Sequence, residues 1–239
     1  MTYVEGFVTA VPTANKQAYI DHAHVAAPLL REFGAIRLVE NWGDDVPDGK
    51  INDFRRAVLT KEDETVLFSW IEYPDRATRD GAIERMMTDP RMKDLAVEIP
   101  FDASRMIFGG FTAEVEDGAS ADTQYVDGFV LPVPPGRKDA YFDMARRASA
   151  VFRDHGATRV VEAWGDDVPL GKVTDFATAA HARDDEVVVY AWVEWPSKAV
   201  RDAGMAAVMT DDRMQTPPAD MPFDGQRMIY GGFATILEV

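Results

Sequence analysis

Trp42-Gly43-Asp44-Asp45-Val46-Pro47 recurs as Trp164-Gly165-Asp166-Asp167-Val168-Pro169, 122 residues further on. The same offset carries Tyr3-Val4-Glu5-Gly6-Phe7-Val8 onto Tyr125-Val126-Asp127-Gly128-Phe129-Val130. It also carries Arg105-Met106-Ile107-Phe108-Gly109-Gly110-Phe111 onto Arg227-Met228-Ile229-Tyr230-Gly231-Gly232-Phe233, so the copies align without a gap. A period this long marks a duplicated domain rather than a solenoid repeat. The 239 residues divide into copy one, 1–116, a linker, 117–124, and copy two, 125–239, each large enough for its own core.

Within copy one, Tyr3 to Val11 is rich in aromatic and β-branched residues and stops at Pro12, as a strand does. Ala18, Tyr19, Ala23, Ala26, Leu29, Leu30 and Phe33 recur at helical spacing, with Gly34 at a C-cap position, which predicts a helix over 14–33. Extended character returns from Ala35 to Gly43, a polar loop follows to Asp53, and Thr65 to Tyr73 is a third strand. Pro74-Asp75 opens a second helix and Arg105 to Val115 is the last strand, with Phe54 to Leu59 a candidate for extra pairing. The order β-α-β-β-α-β is the ferredoxin-like split motif, an α+β arrangement whose helices leave one sheet face uncovered. Trp42, Trp70, Phe68, Tyr3 and Phe7 alternate with polar residues on the strands, as do Trp164, Trp192, Tyr190, Tyr125 and Phe129. Laying the two sheets face to face would bury both sets, giving an intramolecular pseudo-dimeric α+β barrel.

Tyr3 to Val8, Trp42 to Pro47 with Gly49-Lys50 and Asp53-Phe54, Pro100-Phe101-Asp102, Arg105 to Ile107 and Gly109 to Phe111 together resemble the YbaA-like family, domain of unknown function 1428. The likeness spans nearly all of both copies. It implies the dimeric α+β barrel superfamily of bacterial proteins, with this chain a fused pseudo-dimer open to further oligomerisation. It carries over no reaction and no catalytic residue.

The formal net charge of −16 splits into −9 through Asp117 and −7 after it. Both copies would repel nucleic acid, because Lys and Arg are scattered rather than gathered into a patch. An apolar run of membrane-spanning length and a secretory leader are both missing from the sequence given, and so is cysteine. A cytoplasmic protein without thiol chemistry is expected.

Polar residues that recur at the 122-residue offset are the candidates for chemistry. Glu40 and Glu162 each precede a Trp by two residues, so period two sets carboxylate and indole side by side. Arg105 and Arg227 are the cations available to them, and the strand order of the split motif favours contact across the barrel, Glu40 with Arg227 and Glu162 with Arg105. These four are the catalytic candidates. Trp42, Trp70, Glu72, Trp164, Trp192 and Glu194 are candidates for lining a ligand cavity between the sheets. The plain alternative is a structural Glu-Arg pair at a sheet rim.

The acidic loop Asp44 to Lys50 fails the EF-hand spacing, and Asp48 becomes Leu170 in copy two. Lys50, Asp53, Lys172 and Asp175 read instead as residues that order the loop as a lid. No histidine among His22, His24, His155 and His181 recurs, and His22 and His24 point apart on a helix. No metal and no cofactor is expected. The glycine pairs lack a dinucleotide-loop context, no Gly-x-Ser-x-Gly elbow is present, and the methionines sit at core spacing. Two functions fit: a small-molecule-binding or stress-accessory protein, or a cofactor-independent oxygenase or isomerase acting on a small aromatic or carbonyl compound with a glutamate as base.

Overall fold

A computed structural model describes residues 1–95, 99–215 and 220–239. Copy one gives β1 (Tyr3–Pro12), α1 (Lys16–Glu32), β2 (Arg37–Asp45), α2 (Phe54–Ala57), β3 (Glu64–Tyr73), α3 (Arg76–Thr88), α4 (Pro90–Leu95) and β4 (Ile107–Gly118). Copy two gives β5 (Tyr125–Val133), α5 (Lys138–Asp154), β6 (Arg159–Asp167), α6 (Phe176–Ala179), β7 (Val187–Trp195), α7 (Lys198–Val208) and β8 (Ile229–Glu238). The helix boundaries follow local chemistry. Asp75 accepts the Thr78 amide at 2.8 Å to start α3, and Gly34 and Gly156, at φ +112° and +102°, follow α1 and α5 where a side chain would be strained.

All eight strands pair antiparallel in one closed barrel, in the order β1-β3-β2-β8-β5-β7-β6-β4. Each copy contributes four neighbouring strands, β4-β1-β3-β2 and β8-β5-β7-β6. The expected face-to-face stacking is therefore corrected. The two sheets meet edge to edge, β2 with β8 and β4 with β6, so no strand is left with an open edge.

The barrel interior is occupied by side chains. Phe68 and Tyr190 stack with centroids 4.4 Å apart and planes 1° from parallel, and Trp70 and Trp192 stack at 4.3 Å and 29°. Room for the first stack comes from glycine: a Cβ on Gly128 would stand 2.8 Å from the Phe68 ring and one on Gly6 3.1 Å from the Tyr190 ring. The segment 54–59, read as a strand candidate, forms the short helix α2, because Asp53 caps it by accepting the Arg56 amide at 2.8 Å. Phe54 on α2 and Phe176 on α6 then pack edge-on against Phe233 and Phe111 at one end of the barrel. The sequence-predicted ligand cavity between the sheets is thus replaced by an aromatic core.

Trp42, Trp70, Trp164 and Trp192 are all buried. They do not share a face. Trp70 and Trp192 point inward, whereas Trp42 packs with Val11, Tyr19 and Leu67 under α1, and Trp164 packs with Tyr141 and Phe142 under α5. Tyr3 and Phe7 likewise lie on the helix side.

Candidate functional site

At the barrel end opposite α2 and α6, Glu72 and Glu194 meet two arginines that contribute one residue from each copy. Arg37 donates from Nη1 and Nη2 to the Glu194 carboxylate at 2.7 and 2.9 Å, and Arg159 donates in the same way to Glu72 at 2.7 and 2.9 Å. Trp70 and Trp192 donate their indole N–H groups to Glu72 and Glu194, each at 2.9 Å. Burial by itself pushes the Glu194 carboxyl up, but the Arg37 hydrogen bonds and charge outweigh it and hold the group at about 2. Glu72 is lowered by Arg159 and Arg37 in the same way, against its own burial. Four of the ligand-binding candidates are therefore brought together, in an ion cluster that joins the copies and in which Glu238 and Glu116 also pair with Arg37 and Arg159 at the rim.

The catalytic candidates are separated. Arg105 and Arg227 lie in 3-10 turns just before β4 and β8 rather than in those strands. Arg105 clamps Glu64 at 2.6 and 2.8 Å, and Arg227 clamps Glu186 at 2.5 and 2.8 Å. The expected pairs Glu40–Arg227 and Glu162–Arg105 do not form. The cross-copy pairing of Glu with Arg exists, but it is Glu194 with Arg37 and Glu72 with Arg159.

The acidic loop also joins the copies. Tyr125 donates to Asp44 at 2.9 Å and Arg201 to Asp45 at 2.9 Å, while Tyr3 donates to Asp166 at 2.5 Å and Arg79 to Asp167. Asp53 and Asp175 order the loop from within by accepting the Gly49 and Gly171 amides. The cleft beside it is on the outer surface. It lies between Pro47–Asp53 of one copy and Gly225–Tyr230 of the other, with a volume near 450 Å³, and its counterpart near 300 Å³. Among the described residues no group of three or more His, Asp or Glu side chains is placed to hold a metal ion, and no helix is long and apolar enough to cross a membrane.

Glu40 and Glu162 sit on the helix side of β2 and β6, and here the chemistry is unusual. The Tyr19 hydroxyl on α1 donates to Glu40 at 2.7 Å, and the Tyr141 hydroxyl on α5 donates to Glu162 at 2.6 Å. Trp42 and Trp164 stand two residues along the same strands, and Lys16 and Lys138 lie over their rings, each with Nζ 5.0 Å from the centroid. Phe101 and Phe223 pack on the two tyrosines with centroids 5.7 and 5.8 Å apart. Among the described residues neither glutamate has a cation within ion-pair distance. Burial consequently raises both carboxyls, Glu40 against the pull of the Ser69 and Tyr19 hydroxyls and Glu162, to about 7, against the Tyr141 hydrogen bond alone. The same contact, through burial and the neighbouring carboxylate, pushes both phenols well above their ordinary range.

A carboxyl whose folded-state value lies above its ordinary 4.5 is protonated more readily folded than unfolded. Its contribution to stability is complete below 4.5 and declines as pH rises through 7, at about 1.4 kcal/mol per pH unit at most. Glu162→Gln keeps the shape and the Tyr141 contact without the charge. It is expected to raise stability at pH 8 by about 1–3 kcal/mol, with the gain vanishing near pH 4.5. Urea unfolding of both proteins across this range checks it, and a gain independent of pH would contradict it.

A closed antiparallel α+β barrel with outer helices, and a carboxylate, phenol and indole between each helix layer and the sheet, is the class this structure defines. The model of the family described as "Protein of unknown function (DUF1428)" matches residues 2–103 and again 124–225. The chain belongs to that family. The uncharacterized protein YbaA of Escherichia coli K12 is 56% identical over 117 residues, a match covering 49% of this chain and all of the relative, and YbaA of Shigella flexneri matches equally. Among solved structures, a proposed monooxygenase from Fusobacterium nucleatum aligns with a TM-score of 0.61 at 10% identity, over 99% of this chain and 93% of that one. A proposed monooxygenase from Lactobacillus acidophilus gives 0.60 at 9% identity over 100% and 96%. An anthrone oxidase-like protein gives 0.58 at 13% over 100% and 92%. At these identities the likeness is one of fold.

Proposed function

We propose that the chain is a fused pair of ferredoxin-like domains that binds a small organic molecule at each Glu-Tyr-Trp site under α1 and α5. The observation that carries this reading is a carboxylate, buried in copy one and partly buried in copy two, with a phenol and an indole but no cation among the described residues. A buried charge built only for stability is normally neutralised, as Glu72 and Glu194 are. Glu40 and Glu162 are instead left with hydrogen-bonding capacity and an apolar wall, the makings of a site for a small aromatic or carbonyl compound with a polar group. Phe101 and Phe223, each partly exposed, are the rings such a ligand would displace.

Catalysis is a second reading, favoured by Glu162. A carboxyl that titrates near neutrality suits a general base that takes a proton from a phenol or carbon acid, and isomerisation or reaction with oxygen could begin from the resulting anion. The fold shared with the proposed monooxygenase and the anthrone oxidase-like protein adds analogy, which is weak support for a reaction. Thermal-shift screening of phenols, quinones and aromatic ketones tests the common core of both readings. Hits are expected to lose their shift in the Glu40→Gln/Glu162→Gln protein, and hits that shift wild type and variant equally would refute this site.

A further inference from the structure

The two Glu-Tyr-Trp sites are not alike, and what separates them in charge is one residue delivered by the opposite copy. Lys138, over Trp164, also donates to Glu114 Oε1 at 2.6 Å. Glu114 belongs to β4 of copy one, the strand that pairs with β6 beside the Glu162 site. The position 122 residues later, on β8 beside the Glu40 site, is Ile236. Ile236 packs against the cluster of Tyr19, Trp42 and Leu67. Among the described residues no carboxylate lies within ion-pair distance of Lys16. Among the described residues the lysine of the Glu40 site therefore lacks the carboxylate that neutralises its counterpart, on a shared set of Lys, Tyr, Glu, Trp and Phe, with Ser69 opposite Glu40 where Ala191 stands opposite Glu162.

We infer that the two sites select ligands of different charge, the Glu40 site a small aromatic carboxylate held by Lys16, the Glu162 site an uncharged analogue, with Glu114 as the residue that sets the difference. An ammonium over an indole face with no carboxylate at hand attracts an anion, whereas the same ammonium already bound to Glu114 has its charge satisfied. The protonated form of Glu40, favoured by burial, can donate to that anion rather than repel it. Duplication within one chain makes this possible. A symmetric pair of identical chains would present the same residue to both sites, so neither could change alone.

This inference rests on the ligand-binding reading above, and its test separates the two. Isothermal titration of the full chain at pH 7 and low salt, with 1-naphthoate and 1-naphthamide as probes, is expected to give one naphthoate and two naphthamides per chain. Lys16→Met should weaken naphthoate binding at least tenfold and naphthamide binding by a much smaller factor. Glu114→Ile, or Glu114→Gln should the former fold poorly, should add a second naphthoate. Two naphthoates in the wild type, or no second one in either Glu114 variant, would overturn the charge selection while the sites themselves stand. Binding of neither probe would refute both.

Discussion

Glu194→Gln is expected to cost about 3–5 kcal/mol of folding stability, the range for removing one partner of a buried ion pair. Glu194 is fully buried and accepts from Arg37, from Thr123 at 2.6 Å and from the Trp192 indole, with Arg159 at 3.3 Å. Removing its charge leaves two guanidinium groups in a largely buried site facing Glu72, with Glu116 and Glu238 at the rim. Each guanidinium keeps Glu72 and one rim carboxylate, so the penalty comes from the lost charge-assisted bonds of a fully buried acceptor and from a weaker counter-charge at the cluster centre. Because the Glu194 carboxyl is held at about 2, below its ordinary 4.5, its stabilising contribution is present above 4.5 and is lost as pH falls toward 2. The variant's stability should therefore fall less steeply than the wild type's over that window. Urea unfolding at pH 7 and between pH 4.5 and 2 measures both effects, and a loss below about 1 kcal/mol at pH 7 would show that the cluster relaxes or hydrates. Arg37 and Glu194 touch directly across the two copies, so their double-mutant cycle should be strongly non-additive.

Trp70→Ala is expected to cost a similar amount, about 3–5 kcal/mol, as other Trp truncations in packed cores do. The side chain has no exposed surface, stacks on Trp192 of the other copy and donates to Glu72. Its loss opens a cavity at the centre of the barrel and removes one of the hydrogen bonds that satisfy Glu72. A collapse that fills this space would have to move Trp192, which is itself anchored to Glu194. Chemical denaturation provides the measurement, and a cost under about 2 kcal/mol would mean that the barrel interior repacks freely.

The fold was largely legible because the repeat fixes two equal copies and the periodicities fix their elements. The position of Trp42 and Glu40 was not. Period two shows that residues alternate between faces, but it cannot show which face of one strand matches which face of its neighbour. That depends on register: Val39 stands opposite Trp70, and Glu40 opposite Ser69, so Glu40 faces the helices while Trp70 faces the barrel axis. Arg105 was read as part of a strand, yet Asp102 caps a 3-10 turn that ends before Ile107. In the same way the cap at Asp53 turned a β-like stretch into a helix.

The residues missed in the sequence carried a usable signal. Lys16, Tyr19 and Arg37 return as Lys138, Tyr141 and Arg159 at the same offset as the motifs. The tyrosines were absorbed into the apolar stripe of a helix, where a phenol passes for core filler although buried hydroxyls need partners. The arginines lay at a strand start, where a solvated charge is the usual occupant. Only closure of the barrel brings Arg37 and Arg159 within reach of Glu194 and Glu72.

The most direct test of the account is the protonation of the two unneutralised carboxyls. A carbon-detected NMR titration of the glutamate side chains, assigned with Glu40→Gln and Glu162→Gln, should show Glu162 with a midpoint near 7 and Glu40 above the ordinary 4.5, against Glu194 near 2. Midpoints for Glu40 and Glu162 at or below 4.5 would mean that solvent or an unrecognised cation already satisfies them, and the Glu-Tyr-Trp sites would lose the property on which their proposed function rests.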